Sequence, residues 1–450
     1  MRKIITYQDL ESCGSSEQEL CAFVSKAIDD YKGTELYKTA VLADEYIRRR
    51  NRTILRFRKV LITMTGRTID DIFSANFKLP NGIFGRLINQ EKNFLLGNGV
   101  TWKDKKSAEE KLGRDFDARL ADIGHEALSG AVGFGFFNKD HVESWSAREF
   151  MPLFDERDSR LRAGIRFWQI SSDKPLRAVL YRETGYIDLI KPSGGGMKIE
   201  NPQRPYKTRT SGADVDTDKQ VTGENYNGML PIVPMWGNKQ HQSELIGLRQ
   251  QIDCYDLIKS GYANNVDEGS IIYWTLENAG YMDDPDLAKF VEKIKSVHAA
   301  ATAGNAKAHT LEAPYQSREA ILKTLKNDIY EDFGAVDVRQ IAGGAVTATQ
   351  IEAAYEPLNE KADDFEEFVL DFMQGIMTLA GIENEKPTFT RSKITNVNET
   401  VQTLAAGGGY LHPEYITRKI MTLLGDGDKA EEYIKKMYAD EFERFGGDDE

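Results

Sequence analysis

The sequence predicts an α+β chain, predominantly helical. Long stretches in both halves carry apolar residues at helical spacing, and a middle portion alternates in the β manner about a short turn. A polar, glycine-rich segment then separates that β portion from a more strongly helical second half. At 450 residues there is room for two or three domains, or for one elongated subunit with several subdomains. A composition of 40% hydrophobic and 29% charged residues excludes disordered and fibrous classes.

In chain order, residues 17–32 and 35–50 read as helices, the first with Leu20, Phe23, Val24 and Ile28 on one side. Residues 83–96 place Ile83, Leu87, Ile88, Phe94 and Leu95 near helical spacing, and Gly97 follows as a stop. FDARLADIGHEALSGAVGFGFF predicts a helix running into a glycine-loosened strand. RAGIRFWQI and RAVLYRETGYIDLIK predict strands, the second turning at Glu183-Thr184-Gly185. Residues 192–229 lack apolar periodicity and predict a long polar loop or a ragged hairpin. MLPIVPMW predicts a strand, 243–268 a helix, 271–275 a short strand, and 284–301 and 317–334 two further helices.

The stretch QIAGGAVTATQIE (340–352) precedes a helical pattern running from 348 to about 380. Thr347 and Gln350 have the spacing of a capping box. Pro357 removes a backbone donor inside that helix, and a kink is expected there. Gly343 and Gly344 could cradle a phosphate or act as a hinge. They follow a helix rather than a buried strand and bring no lysine, so they read as a hinge. A last helix, EEYIKKMYADEFERF, ends in acidic GGDDE.

Enzyme signatures are missing: there is no phosphate loop, no nucleophile elbow and no zinc helix. No catalytic residue, no metal ligand and no cofactor is therefore assigned. DVDTDKQVTGEN begins like a calcium loop at Asp214, Asp216 and Asp218. It then places Lys219 where glycine is required and Asn225 where a bidentate glutamate is required. The six histidines are scattered, and paired carboxylates such as Asp363-Asp364 sit on polar faces. Cys13, Cys21 and Cys254 show no pairing pattern, which suits a reducing compartment. No apolar run reaches the roughly 20 residues that cross a bilayer, and the first residues show no signal-peptide core. A cytosolic or particle-borne protein without membrane contact is expected. The net charge of −13 disfavours broad phosphate neutralisation, although RRRNRTILRFRK (48–59) is one dense basic block.

Four segments, in order, resemble the portal proteins of tailed double-stranded-DNA bacteriophages, of the type found in long non-contractile-tailed phages. NFKLPNGIFGRLINQEKNFLLGNGVTW is similar to the family's helix ending in lysine, two residues, leucine and glycine, here Lys92, Leu95, Leu96 and Gly97. FMPLFDERDSRLRAGIRFW resembles its paired strands. LPIVPMWGNKQHQSELIGLRQQIDCYDLIKSGYANNVDE matches most specifically, through Asn238, Ser243, Leu245, Ile252, Asp253, Tyr255, Ser260 and Asn264. GGAVTATQIEAAYEPLNEKADDFEEFV looks like its tunnel loop and long kinked helix, with Thr347-Ala348 where relatives often carry a Ser-Gly pair.

The resemblance implies an elongated subunit of a ring, usually a dodecamer, with an axial channel. It implies an N-terminal segment at 1–29, a mixed α/β wing at 30–242 and a stem helix at 243–268. A clip at 269–315, a second stem helix at 316–334 and a tunnel loop at 335–347 would follow. The kinked tunnel helix would span 348–381, a wing strand 382–397, and crown helices with an acidic tail 398–450. Arg339, Gln340, Gly343, Gly344 and Thr347 would belong to the DNA-facing loop and its hinge, and Lys323 and Lys326 are candidates for light phosphate contact. Implied partners are the terminase large subunit, a head-tail adaptor, the major capsid and scaffold proteins, and double-stranded DNA passing without sequence recognition. The implied place is the capsid portal vertex of the virion, reached from the host cytoplasm during assembly. The competing expectations are a phage scaffold or minor head protein without a channel, and an enzyme with a diverged site.

Overall fold

The computed structural model describes residues 4–14, 16–62, 68–71, 75–211, 220–269, 273–276, 306–309, 315–339, 347–392, 401–402, 404, 406, 411–424 and 426–445. After one turn, α1 (Tyr7–Glu11), come α2 (Glu17–Tyr31) and α3 (Glu35–Ile47). Ser16 opens α2 with a complete capping box to Glu19, and Thr34 caps α3 by accepting from the Tyr37 N–H. α4 (Arg52–Arg56), the ribbon β1 (Val60–Ile62) and β2 (Thr68–Asp70), and α5 (Ile83–Leu96) follow. β3 (Val100–Thr101), α6 (Lys105–Leu112) and α7 (Phe116–Gly130) complete the opening helical part.

The β portion begins with β4 (Val132–Asn138) and β5 (His141–Ser146), then β6 (Phe150–Phe154), β7 (Leu161–Trp168), β8 (Leu176–Arg182) and β9 (Gly185–Lys191). Next are β10 (Lys198–Arg204), β11 (Lys207–Ser211), β12 (Gln220–Glu224) and β13 (Ile232–Trp236). Strands β10-β9-β8-β7-β6 form an antiparallel meander, and β13-β4-β5 form a second sheet. The β8–β9 hairpin turns where the sequence predicts it, with Arg182 opposite Gly185. The polar stretch 192–229 is no simple loop. β10 extends the meander, and β11 pairs with β12 in the ragged-hairpin alternative.

The glycines of VGFGFF do more than loosen β4. A side chain's first carbon built on Gly135 would stand 2.5 Å from the Phe372 ring, and one on Gly133 would stand 2.3 Å from the Ile123 carbonyl. Only glycine admits so close an approach of two helices to this one face of the strand.

The second half holds α8 (Leu245–Gly269), the ribbon β14 (Tyr273–Leu276) and β15 (Ala306–His309), and α9 (Tyr315–Phe333). α10 (Ala348–Ala380) passes through Pro357 without ending. β16 (Thr388–Phe389) returns to pair with β3, and α11 (Pro413–Leu424) and α12 (Ala430–Phe445) close the chain. The helix expected at 284–301 and Asp214, Asp216, Asp218 and Lys219 lie outside the described residues.

The main core unites α3, α5, α7, β4, β5, β13, the start of α8, the end of α9 and the second half of α10. A second core sets α2 on the meander, with Val24 and Ile28 against Leu153, Ile165 and Leu180. The boundary expected at residue 29 thus runs through α2, and the N-terminal segment is part of the sheet-bearing body. Among the described residues no helix is long and apolar enough to cross a membrane.

Candidate functional site

The expected loop is held at both ends. At its start, Gly334 closes α9 with φ +75°, the left-handed conformation that glycine takes without strain. The Ala335 N–H reaches back to the Tyr330 carbonyl at 2.8 Å, which completes the helix-stop motif. Val336 is buried, and its carbonyl accepts from Gln90 Nε2 at 3.0 Å. Asp337 accepts from the Lys326 ammonium and from the Arg339 N–H, and these contacts hold its carboxyl below the usual range against the opposing pull of burial.

At the far end Thr347 caps α10 as the sequence predicts. Its N–H donates to Gln350 Oε1 at 3.1 Å, and the Gln350 N–H returns to Thr347 Oγ1 at 3.4 Å. Thr347 therefore serves as a complete cap in this chain. Gln340, Gly343 and Gly344 lie outside the described residues. Arg339 and Lys323 are exposed, whereas Lys326 is only 21% exposed and already engaged by Asp337.

Behind the loop, the first half of α10 is clamped. Phe94 stacks on Tyr355 with ring centroids 5.7 Å apart, inside a small cluster with Val336, Ile351, Leu358 and Ala362. One turn further, the Lys361 ammonium lies 2.6 Å from Glu244, 3.1 Å from Glu91, and 3.4 Å from the centre of the Phe333 ring. This one cation joins α5, the entry to α8, the end of α9 and α10. Glu91 is 1% exposed, and Lys361 is the cation beside it. Burial raises the Glu91 carboxyl to about 7, with Lys361 opposing and Glu244 adding to the rise. Arg391 secures the next turn, bonding Asp363 at 2.5 Å, Glu366 at 2.6 Å and the Asn359 carbonyl at 3.0 Å.

A second clamp runs along α8. Asp256, Ser260 and Asn264, one helical turn apart, are all buried and accept from the backbone N–H groups of Asn81, Leu79 and Phe77 at 2.9, 3.0 and 2.6 Å. Four helical residues rise about 6.0 Å and two extended residues about 6.6 Å, so alternate strand positions meet successive turns. Asp256 also accepts from the side chains of Asn51 and Asn81. Burial pushes its carboxyl up against those hydrogen bonds. Asp253 accepts from the Tyr46 and Thr53 hydroxyls at 2.5 and 2.7 Å. The polar residues of the Ile-Asp-x-Tyr…Ser…Asn pattern thus dock the helix on the 51–81 segment.

These clamps hold helices in place and converge on no reactive group, and no cluster of metal-ligating side chains occurs among the described residues. Such an arrangement suits mechanical positioning. Comparison with known proteins decides its setting: the family model described as phage portal protein, SPP1 Gp6-like, matches residues 73–441. The chain belongs to the phage portal protein family. The portal protein of Clostridium phage phiCD119 is 25% identical over 371 residues, covering 79% of this chain and 77% of that one. The portal protein of Bacillus phage SPP1 is 22% identical over 450 aligned positions, covering 90% and 84%. The portal family is structural rather than enzymatic, and all four segments that carry the resemblance fall within or overlap the matched range.

Several residues that organise this portal chain escaped the sequence reading: Glu91, Glu244, Lys361, Asp256, Asn81, Asp337 and Gly334. Two of them left a signal. Glu91 lies on the apolar stripe of α5 between Leu87, Ile88 and Leu95, and Lys361 lies between Leu358 and Phe365 on that of α10. A charge inside an apolar stripe asks for a buried partner of opposite sign.

Proposed function

We propose that the chain forms a closed ring, of twelve copies by family resemblance, that conducts double-stranded DNA through the portal vertex of a phage capsid. The match to the portal family over 73–441 carries this reading. In it, α8 and α9 are the stem pair, the segment between them the clip, 335–347 the tunnel loop and α10 the kinked tunnel helix. Residues 30–242 and 382–397 make the wing, joined by the β16–β3 pairing. α11 and α12 belong to the crown. The terminase large subunit docks during packaging and a head-tail adaptor afterwards, with major capsid and scaffold proteins around the ring. The protein acts without catalysis, is assembled in the host cytoplasm and ends in the virion.

A net charge of −13 per copy keeps passing DNA from adhering. Lys326 is held by Asp337, so the light phosphate contacts fall to Lys323 and Arg339. The firmly capped ends at Gly334 and Thr347 confine movement to the residues between them, where Gly343 and Gly344 form the hinge. Negative-stain microscopy with native mass spectrometry should show a closed ring with an axial hole. A filament or a compact dimer would sink the reading. Changing Gly343 and Gly344 to alanine should impair packaging while rings still assemble, and normal packaging by that variant would remove the hinge role.

A further inference from the structure

Exposed apolar side chains gather on one ledge. Leu55, Phe57, Val60, Phe77 and Leu79 are between 37% and 53% exposed, all within the segment that docks on α8. Lys78 Nζ ties the stretch around Phe77 to α4 by donating to the Leu55 carbonyl at 2.7 Å. The ledge is also basic. Arg48, Arg52 and Arg58 are engaged by Asp44, Glu45 and Asp70. Arg49, Arg50 and Arg56 are exposed and have no carboxylate partner among the described residues. Singly exposed apolar residues are ordinary, but several together beside unpaired cations mark a contact surface.

The opposite flank of the same helix offers the complement. Asp253, Asp256, Ser260 and Asn264 turn toward the ledge, whereas Gln251, Gly261 and Tyr262 meet α9 through Asp332, Arg318 and Tyr315. At 3.6 residues per turn the two sets lie roughly 150° apart round α8. The ledge and the outer face of α9 therefore look in opposing directions, as the two halves of a head-to-tail contact must. α9 buries only Ile329 and Phe333. Its other side presents Ala320, Thr324, Asp328 and Glu331, with Ile321 47% exposed at the margin. Asp328 and Glu331 have no cation partner among the described residues.

We propose that the ledge of one copy docks on the outer face of α9 in the next copy, with Phe57 and Phe77 against Ile321 and Arg56 near Glu331. The proposal rests on the ring reading and says which surfaces close the ring. Charge decides the occupant. Copies carrying −13 each repel one another at long range, so adjacent subunits need local opposite charges where they touch. The ledge supplies the cations, and the outer face of α9 supplies carboxylates beside apolar surface. Nucleic acid is disfavoured by the apolar middle of the ledge.

The full chain carrying both Phe57→Cys and Ile321→Cys is oxidised and run without reductant. A ladder of covalent multimers is expected, absent from either single variant. Arg56→Glu alone should lower the ring fraction by about tenfold or more, and adding Glu331→Arg should restore it. Both sites are exposed, so thermal melts of the dissociated chains should be unchanged. Rings that form normally with Arg56→Glu and give no ladder with the cysteine pair overturn the ledge while leaving the ring reading intact. A wild-type chain that stays monomeric at every concentration overturns the ring reading and the ledge with it. DNA that protects the ledge arginines from modification in dissociated chains would assign the surface to nucleic acid instead and overturn the proposal.

Discussion

The sheet-bearing half and the α8–α9 pair are both built from amphipathic segments, yet they complete themselves to different degrees. In β4, every residue from Val132 to Phe137 is buried, with helices against the face of Gly133 and Gly135 and the rings of Trp145, Phe150 and Tyr181 against Phe134 and Phe136 on the other. In α9, 19 residues long, only Ile329 and Phe333 are buried. Helices owe most of their stability to the apolar face they cover. The sheet-bearing part therefore finds cover for its apolar faces within the subunit, while the pair is fastened by polar clamps and leaves surface for a neighbour.

Phe372→Ala tests the core around β4 most severely. The ring is 1% exposed and lies against Gly135, so its loss should cost about 3–5 kcal/mol in urea unfolding of the dissociated chain. A cost below about 1 kcal/mol would deny that this core is tightly packed. Asp256→Ala strands the Asn81 N–H and two side-chain amides in a buried place, for about 3 kcal/mol. That change should loosen α8 from the 51–81 segment while the sheets keep their near-ultraviolet dichroism.

The Glu91 node predicts a pH dependence. Its folded value of about 7 is raised above the ordinary 4.5. The stability this shift confers is complete below about 4.5 and is lost as pH rises through about 7. Between pH 5 and 8 the wild type should lose about 2 kcal/mol relative to Glu91→Gln, measured by thermal melts in parallel. Parallel curves would show that Lys361 holds Glu91 charged throughout. The smallest effect belongs to the unfinished surface: Ile321→Ser should change the stability of the dissociated chain by less than about 0.5 kcal/mol.

Helices were legible wherever a long apolar stripe had one reading, as at 83–96, 243–268 and 348–380, and Thr347 announced its cap. β10 was not, because KIENPQR is polar on both faces and owes its pairing to β9, and the β11–β12 ribbon was legible only as one of two alternatives. At the loop's flanks the Thr347–Gln350 capping pair was legible from its spacing. Their anchoring was not, because Lys326–Asp337 closes across the turn at Gly334, and Glu91 meets Lys361 only once α5 and α10 have docked. The portal resemblance rested on Asp253, Ser260 and Asn264 without a reason for them, and the docking of α8 supplies it.

That docking also behaves as a vernier. Helix and strand advance in steps that differ by about 0.6 Å, so two scales laid side by side drift apart as they are extended. At Phe77 the N–H still meets Asn264 Oδ1 at 2.6 Å, but the return bond from Asn264 Nδ2 to the Phe77 carbonyl is already 3.5 Å long. A fastening of this kind measures out its own length. It sets which three turns of α8, those of Asp256, Ser260 and Asn264, can be held by one extended stretch.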